Sequence, residues 1–215
     1  MGHPYWPMFD LEIRTPRLSI RYPEDETLVE LAALAAAGIH DPTTMPFGIP
    51  WTDQPSPQLE RSALQFHWRS RAELSPESFR LPLAVREGVE LVGLTDLFAT
   101  RFETTKQFET GSWLGREFQG RGIGKEMRLA TLALGFDGLG ADYALTAAWH
   151  DNGPSNGVTR ALGYDLVGRT RDVRRDEAVE QLQYRMDRTH FDTIRRDDIE
   201  LRGVEGVREF LQLAD

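Results

Sequence analysis

Three glycines at alternate positions constrain the fold of this chain more than any other feature. Gly120, Gly122 and Gly124 lie between a strand-like segment and a helical pattern that runs to Leu134. A loop without Cβ atoms can turn sharply and bring its backbone N–H groups together at the start of a helix, where the helix dipole favours negative charge. The segment therefore predicts an anion-binding loop between a strand and a helix.

The neighbouring residues restrict the kind of anion. Arg121, Lys125 and Arg128 add three cations within two helical turns. A nucleoside-triphosphate loop needs glycine where Gln119 stands and Ser or Thr where Glu126 stands, and the even glycine spacing does not match the dinucleotide fingerprint. The pattern that remains is Gln-x-x-Gly-x-Gly. A strand-to-helix turn without a ligand is the alternative interpretation.

This pattern resembles the pyrophosphate loop of the GNAT superfamily of acyl-coenzyme A transferases. A second resemblance follows downstream, where a strand-like run over 143–149 precedes Asn152, Ser155 and a short helix that ends at Gly163. In the RimJ/RimL-like branch of the superfamily, the Asn and Ser of this segment lie beside the pantetheine arm and its sulfur. The resemblance spans about residues 11–187, with residues 14–21 and 109–114 similar to the first and fourth strands of that branch.

The resemblance implies an α/β fold with a single mixed, mostly antiparallel sheet of about six or seven strands, flanked by about four helices. Two parallel strands are expected to part where the cofactor binds. The whole chain is expected to form one N-acyltransferase domain over 1–215, with a core over 11–187 and a C-terminal extension over 188–215.

Local patterns agree with an alternating α/β chain. The proline-rich segment 41–57 cannot be regular structure, and we interpret it as a wall of the acceptor pocket, a plug of the core or a dimer surface. Periodicity and turn residues predict a strand over 11–21, helices over 25–37 and 59–72, a hairpin over 81–99, a strand over 108–114 and late strands over 164–169 and 178–186.

By analogy with the family, the cofactor is acetyl-CoA or another short acyl-CoA, such as succinyl-CoA, and no metal is expected. Backbone groups around Ser112 and Leu114 would hold the pantetheine and the acyl carbonyl, and Ser155 would donate a proton to the sulfur. The residues expected to contact the cofactor are Ser112, Leu114, Gln119, Gly120, Arg121, Gly122, Ile123, Gly124, Lys125, Asn152 and Ser155.

The acceptor amine is mostly protonated at neutral pH, so the reaction needs a general base. Glu109 lies on the strand whose family counterpart often carries a carboxylate, although strand alternation places it opposite Ser112 unless a bulge intervenes. Asp96 in the preceding strand is the second candidate. His150, which comes just before the Asn152 loop, is the third, and a solvated surface role is the alternative for each.

Composition excludes several other classes of protein. The 215 residues contain no cysteine, so no acyl-cysteine intermediate can form, and we expect direct transfer within a ternary complex. A net charge of −9 argues against a nucleic-acid partner and favours a cationic amine acceptor. We find no membrane-spanning or signal-peptide pattern and expect a cytoplasmic protein. Apolar residues in the tail, such as Phe210, would pack on the body or against a second subunit in a homodimer.

Two other functions remain open from the sequence. Residues 153–157 match Gly-x-Ser-x-Gly, the nucleophile elbow of serine hydrolases, with Ser155 as nucleophile and His190 as the required base. A non-catalytic protein that only binds acyl-CoA is the second alternative.

Overall fold

A nine-stranded sheet forms the centre of the molecule in the computed structural model, which describes residues 2–214. The strands run in the order β7-β8-β6-β5-β4-β3-β2-β1-β9, and every neighbouring pair is antiparallel except β5 and β6. Their bounds are β1 Glu12–Arg14, β2 Leu18–Arg21, β3 Ser78–Glu87, β4 Glu90–Thr100, β5 Gln107–Leu114, β6 Tyr143–Trp149, β7 Asp165–Arg174, β8 Glu177–Asp187 and β9 Glu200–Arg202.

Seven α-helices within residues 2–214 flank this sheet. They are α1 Asp25–Ala37, α2 Gln58–Ala72, α3 Phe102–Thr105, α4 Ile123–Ala133, α5 Gly153–Ala161, α6 Arg188–Ile194 and α7 Val204–Phe210.

The two faces of the sheet carry different helices. On β3, Leu83 and Val85 belong to the main hydrophobic core, which also contains Ile123 and Met127 of α4. The intervening Ala84 belongs to a smaller cluster with Leu28 and Leu31 of α1. Because successive strand residues point to opposite faces, α1 and α4 lie on opposite sides of the sheet.

The sheet has more strands than the predicted six or seven. The segment predicted as one strand over 11–21 is divided into β1 and β2 by a turn in which the Thr15 N–H donates to the Leu18 carbonyl. The tail contributes β9, which pairs with β1, while Phe191, Val207 and Leu211 are buried in the main core. The tail thus packs on the body of the same chain.

The parallel strands β5 and β6 part after a short contact. Their register covers only the pairs formed by Gln107, Phe108 and Glu109 with residues 143–145. Beyond Glu109, β5 continues along β4 to Leu114, and β6 continues along β8 to Trp149. The predicted gap between two parallel strands is therefore confirmed.

Candidate active site

A cavity of about 480 Å³ occupies the gap between β5 and β6. Its walls include residues 110–113 of β5 and 146–149 of β6. It extends from α1 and α2 on one side of the sheet to the start of α5, where Asn152 and Ser155 line it. One cavity therefore connects the two faces of the sheet through the opening in the strands.

Asp96 is the carboxylate on the wall of this cavity. It lies on β4 opposite Gly111 of β5, and only 6 % of the residue is exposed. Burial raises the pKa of Asp96 to about 6, although the neighbouring Arg80 opposes the shift. Arg80 binds Oδ2, while Oδ1 is buried and has no partner among residues 2–214. Of the three candidate bases predicted from sequence, this is the one that the fold brings to the cavity.

His67 also lines the cavity, although it is not among the residues predicted from the sequence. Burial lowers the pKa of His67 to about 4, with further lowering by Arg71 and Arg80, so the ring is neutral at pH 7. Its Nδ1 is buried without a hydrogen-bond partner among residues 2–214. Helical spacing could have indicated His67 in the sequence. Leu59, Ala63 and His67 follow one another at four-residue intervals along α2 and therefore lie on one face of the helix.

Glu109 and His150 lie away from the cavity. Glu109 is exposed and faces a separate cleft beside Phe98, which the regular strand alternation explains. His150 is exposed, and its Nδ1 lies 3.4 Å from the carbonyl oxygen of Glu180. Neither of these predicted candidates therefore lines the cavity that Asp96 lines.

The glycine loop has the backbone that the sequence predicted. Gly120 and Gly122 have φ angles of 73° and 81°, in the left-handed region that favours glycine. A Cβ atom at Gly120 would meet nothing within 4 Å, and no side chain caps the N-terminus of α4. The loop therefore leaves open space in front of a helix N-terminus, as a bound diphosphate requires.

Several predicted cofactor-contacting side chains are engaged within the protein. Gln119 donates from Nε2 to the carbonyl oxygens of Ile39 (2.7 Å) and Leu114 (2.9 Å), so its amide fixes the loop. The Ile123 side chain is fully buried in the core. Arg121 is paired with Glu87 at 2.7 Å.

Gly124 and Lys125, at the start of α4, differ in their exposure to solvent. A Cβ atom at Gly124 would lie 3.8 Å from Leu114 Cδ1 and 3.9 Å from Val158 Cγ2, whereas Lys125 is exposed to solvent. Among the predicted cofactor-binding side chains of the loop, Lys125 and Arg121 are the cations that lie at the surface.

Arg128 does not lie with those surface cations, contrary to the sequence argument. It is 4 % exposed and lines the cavity, where it donates to Ser112 Oγ and Thr146 Oγ1, both at 3.2 Å. The correction follows from α4, whose residues from Met127 to Ala133 are all buried. Arg128 therefore bridges β5 and β6 across the gap and does not face the loop.

Asn152 and Ser155 meet at the start of α5. The Asn152 side chain accepts a hydrogen bond from the Ser155 backbone N–H at 3.2 Å and so caps the helix. Both residues line the cavity. The Ser155 hydroxyl lies in the first turn of a regular helix.

This geometry does not favour a nucleophile elbow. Ser155 is a capped helical residue without the positive φ of a strained turn. His190, the base that the hydrolase interpretation needs, lies outside the cavity wall, with Nε2 at 3.0 Å from the Leu162 carbonyl oxygen.

The proline-rich segment forms the roof of the cavity. Residues 46–49 and Trp51 line it, and Phe47, Trp51 and Trp113 make successive ring contacts with centroid distances of 5.3 and 6.4 Å. Of the three interpretations of residues 41–57, the structure supports a wall of the pocket.

A sheet with two parted parallel strands, a glycine loop at a helix N-terminus and a cavity in the gap is the arrangement that the resemblance to the acyl-coenzyme A transferases implies. A family profile described as an acetyltransferase (GNAT) domain matches residues 17–165, more than half of the chain. The chain therefore belongs to the GNAT acetyltransferase family and is an N-acetyltransferase.

Solved structures of similar fold include members of the RimJ/RimL group. Mycobacterium smegmatis RimJ, solved with a CoA disulfide, has a TM-score of 0.68 and 17% identity, over 87% of this chain and 90% of that one. RimL, the ribosomal L7/L12 alpha-N-protein acetyltransferase, solved with coenzyme A, has a TM-score of 0.66 and 15% identity, over 80% and 95%. The microcin C7 self-immunity acetyltransferase MccE, solved with acetyl-CoA and AMP, has a TM-score of 0.61 and 18% identity, over 80% and 93%. At these identities the similarity concerns the fold.

Two further features of residues 2–214 bear on function. No helix in this part of the chain is long and apolar enough to span a bilayer. No group of three or more His, Asp or Glu residues in the same range is placed to hold a metal ion.

Proposed function

We propose that this protein transfers an acyl group, most simply acetyl, from acyl-CoA to a primary amine within a ternary complex, with Asp96 as general base and Ser155 as proton donor. The observation that carries the proposal is the single cavity that joins Asp96 on one side of the sheet to Ser155 on the other. Without cysteine the chain cannot form an acyl-cysteine intermediate, which supports direct transfer.

The residues around the loop fit coenzyme A. The open backbone at Gly120 and Gly122 and the uncapped N-terminus of α4 supply N–H donors for a diphosphate, and exposed Lys125 adds positive charge. Ser112 and Asn152 on the cavity wall are placed to line a pantetheine arm in the gap between the strands. Gly124 and Ile123 contribute backbone only, since the Ile123 side chain is in the core.

Acetyl-CoA, when bound, supplies an acetyl group activated as a thioester. Asp96 accepts one proton from the amine nitrogen as the C–N bond forms. Ser155 donates one proton to the leaving sulfur as the C–S bond breaks, and both side chains then exchange protons with water. The net change converts an amine and a thioester into an amide and a thiol, without an oxidant or a metal.

The surroundings of Asp96 suit it to this role. Because burial raises the pKa of Asp96 to about 6, the carboxylate is a stronger base than an exposed aspartate and is still ionised at neutral pH. Arg80 positions the carboxylate through Oδ2, and its guanidinium lies 3.8 Å from the centroid of the Phe98 ring. Oδ1 has no hydrogen-bond partner among residues 2–214, and we assign it to the amine.

Arg128 supports the other half of the site. It carries a buried positive charge next to Ser112 and Thr146, and residues 2–214 place no carboxylate in an ion pair with it. A cation at this point favours negative charge that develops on a carbonyl oxygen in the gap between the strands.

The same proposal extends to the acceptor and to the location of the reaction. The acceptor is an amine and not a nucleic acid, given the net charge of −9. The proposal includes a cytoplasmic location, with which the absence of cysteine is compatible.

A thiol-release assay with acetyl-CoA and a panel of amines tests this proposal. Amine-dependent thiol release, with one N-acetylated product per thiol by mass spectrometry, is the expected result. Thiol release that does not depend on amine would point to hydrolysis, and saturable CoA binding without release would point to a non-catalytic binder.

A further inference from the structure

The geometry points to a particular class of acceptor: a small molecule with one primary amine on an uncharged, apolar and preferably aromatic body. This inference rests on the proposed function, since it names the substrate of the same site. It differs from the polycationic acceptor that the net charge of −9 favours, because the walls of the cavity, and not the outer surface, contact the acceptor.

The charges on the cavity wall allow for one ammonium group. Within residues 2–214 the ionised side chains that line the cavity are Asp96, Arg80 and Arg128, and His67 is neutral at pH 7. Asp96 is the single carboxylate among them. A polyamine or an aminosugar would bring further ammonium groups toward two arginines, which costs free energy in a site of low dielectric constant.

Most of the remaining wall on the acceptor side is apolar, with Ser62 and Gln181 as polar exceptions. Leu31 and Ala35 of α1, Phe66 of α2 and Trp113 of β5 line it, together with the roof residues Phe47 and Trp51. Such a surface stabilises an apolar ligand by about 25 cal/mol for each Å² removed from water. The flat rings favour an aromatic body, which can pack edge to face against them. His67 Nδ1 leaves one hydrogen bond for a single polar group on that body.

The roof is held in place at several points. Trp149 Nε1 donates to the Phe47 carbonyl oxygen at 3.1 Å. Arg175, at the turn between β7 and β8, donates from Nε to Asp53 at 2.8 Å and also reaches the Pro42 carbonyl oxygen at 3.3 Å.

The chain is thus fixed on both sides of the residues that cover the cavity. A peptide acceptor needs an open path for the chain that follows its N-terminus, whereas a small amine needs only the cavity. The volume of about 480 Å³, which the acyl end of the donor must share, is within the range of small-molecule sites.

The test compares acceptors at saturating acetyl-CoA by thiol release. The panel holds 2-phenylethylamine and tryptamine, spermidine, and a hexapeptide with a free N-terminus. We expect kcat/KM for the two aryl amines to exceed the values for spermidine and the peptide at least about ten-fold, as apolar pockets discriminate by that order. Preference for spermidine or the peptide would overturn the inference and leave the proposed function standing, whereas acylation of none of them, with CoA still bound, would overturn both.

A matched pair of variants on α2 locates the binding site. Ala63 lines the cavity, so Ala63→Trp should fill it and lower kcat/KM for tryptamine about ten-fold or more through KM. Gln65 on the same helix is exposed and lies outside the cavity, so Gln65→Trp should leave kcat/KM unchanged. Calorimetric CoA binding should be the same in both variants. Equal loss of activity in the two variants, or no loss in either, would contradict the placement of the amine in this cavity.

Discussion

Asp96 is paired with Arg80 through Oδ2 alone, and its second oxygen, Oδ1, is buried without a hydrogen-bond partner among residues 2–214. An unpartnered carboxylate oxygen costs free energy in a folded protein unless a ligand satisfies it. In the proposed mechanism that ligand is the acceptor amine, and the mechanism depends on this pairing.

Removal of the carboxylate should therefore abolish most of the activity. We expect Asp96→Asn to lower kcat by about 10²–10⁴-fold, the usual contribution of a general base, with CoA affinity unchanged by calorimetry. Glu109→Gln provides the comparison, since Glu109 is exposed in a separate cleft, and it should keep kcat within about two-fold. The opposite ranking of the two variants would transfer the role of base to Glu109.

The pH profile should show the ionisation of Asp96. Because the carboxylate must be deprotonated to accept a proton, kcat/KM should fall below a pKa of about 6 as the acid form accumulates. Profiles should be measured with two amines of different pKa. The limb that reports Asp96 should be the same with both amines, whereas the ionisation of the acceptor should move with the amine. A profile in which every limb moves with the acceptor would show that no enzyme group of this pKa takes part.

The glycine loop can be tested apart from the chemistry. Gly120→Ala places a Cβ in open space at a φ of 73°, so it should cost about 1–2 kcal/mol of stability from backbone strain and block the approach of the diphosphate. CoA affinity, measured by calorimetry, should fall at least about ten-fold. Gly140→Ala carries similar strain at a φ of 80° in the connection from α4 to β6, and it should leave CoA affinity unchanged. Similar CoA affinities in the two variants would argue against a diphosphate at Gly120.

Ser155→Ala separates proton donation from binding. The Asn152 cap accepts from the Ser155 backbone N–H, so the helix start survives the substitution. We expect kcat to fall about 10²-fold while the dissociation constant of CoA changes little, because a proton donor acts on the leaving sulfur and not on the bound ground state. A loss confined to CoA affinity would make Ser155 a binding residue.

His67 should make folding stability depend on pH. Its pKa is lowered from 6.5 to about 4, so its contribution is fully present above pH 6.5 and is lost as the pH falls toward 4. The shift corresponds to about 3 kcal/mol at most. Denaturant titrations should show that the free energy of unfolding of the wild type falls relative to that of His67→Gln as the pH is lowered from 6.5 to 4. A difference that does not vary with pH would show that His67 is not buried in neutral form.

The sequence predicted the backbone of the site better than its side chains. Glycines at 120 and 122 have few uses other than a positive φ, and helix α1 has the predicted bounds, 25–37. Both are local properties of the chain.

The roles of Arg128 and His67 depended on packing instead. Arg128 is buried because α4 is enclosed on all sides from Met127 to Ala133, and spacing from the loop alone cannot show this. His67 faces the cavity because α2 packs over the gap, a relationship between distant segments. The choice among Glu109, His150 and Asp96 as general base also depended on where two neighbouring strands separate. The pairing of β5 with β6 ends at Glu109, and the sequence does not show this.

The most direct test of the account is to follow free thiol and N-acetylated amine together, with acetyl-CoA and 2-phenylethylamine, in the wild type and in Asp96→Asn. The account predicts equal amounts of thiol and amide, formed only when amine is present, and a loss of both in the variant. Thiol formed without amide, or amide formed at the wild-type rate by Asp96→Asn, would contradict it.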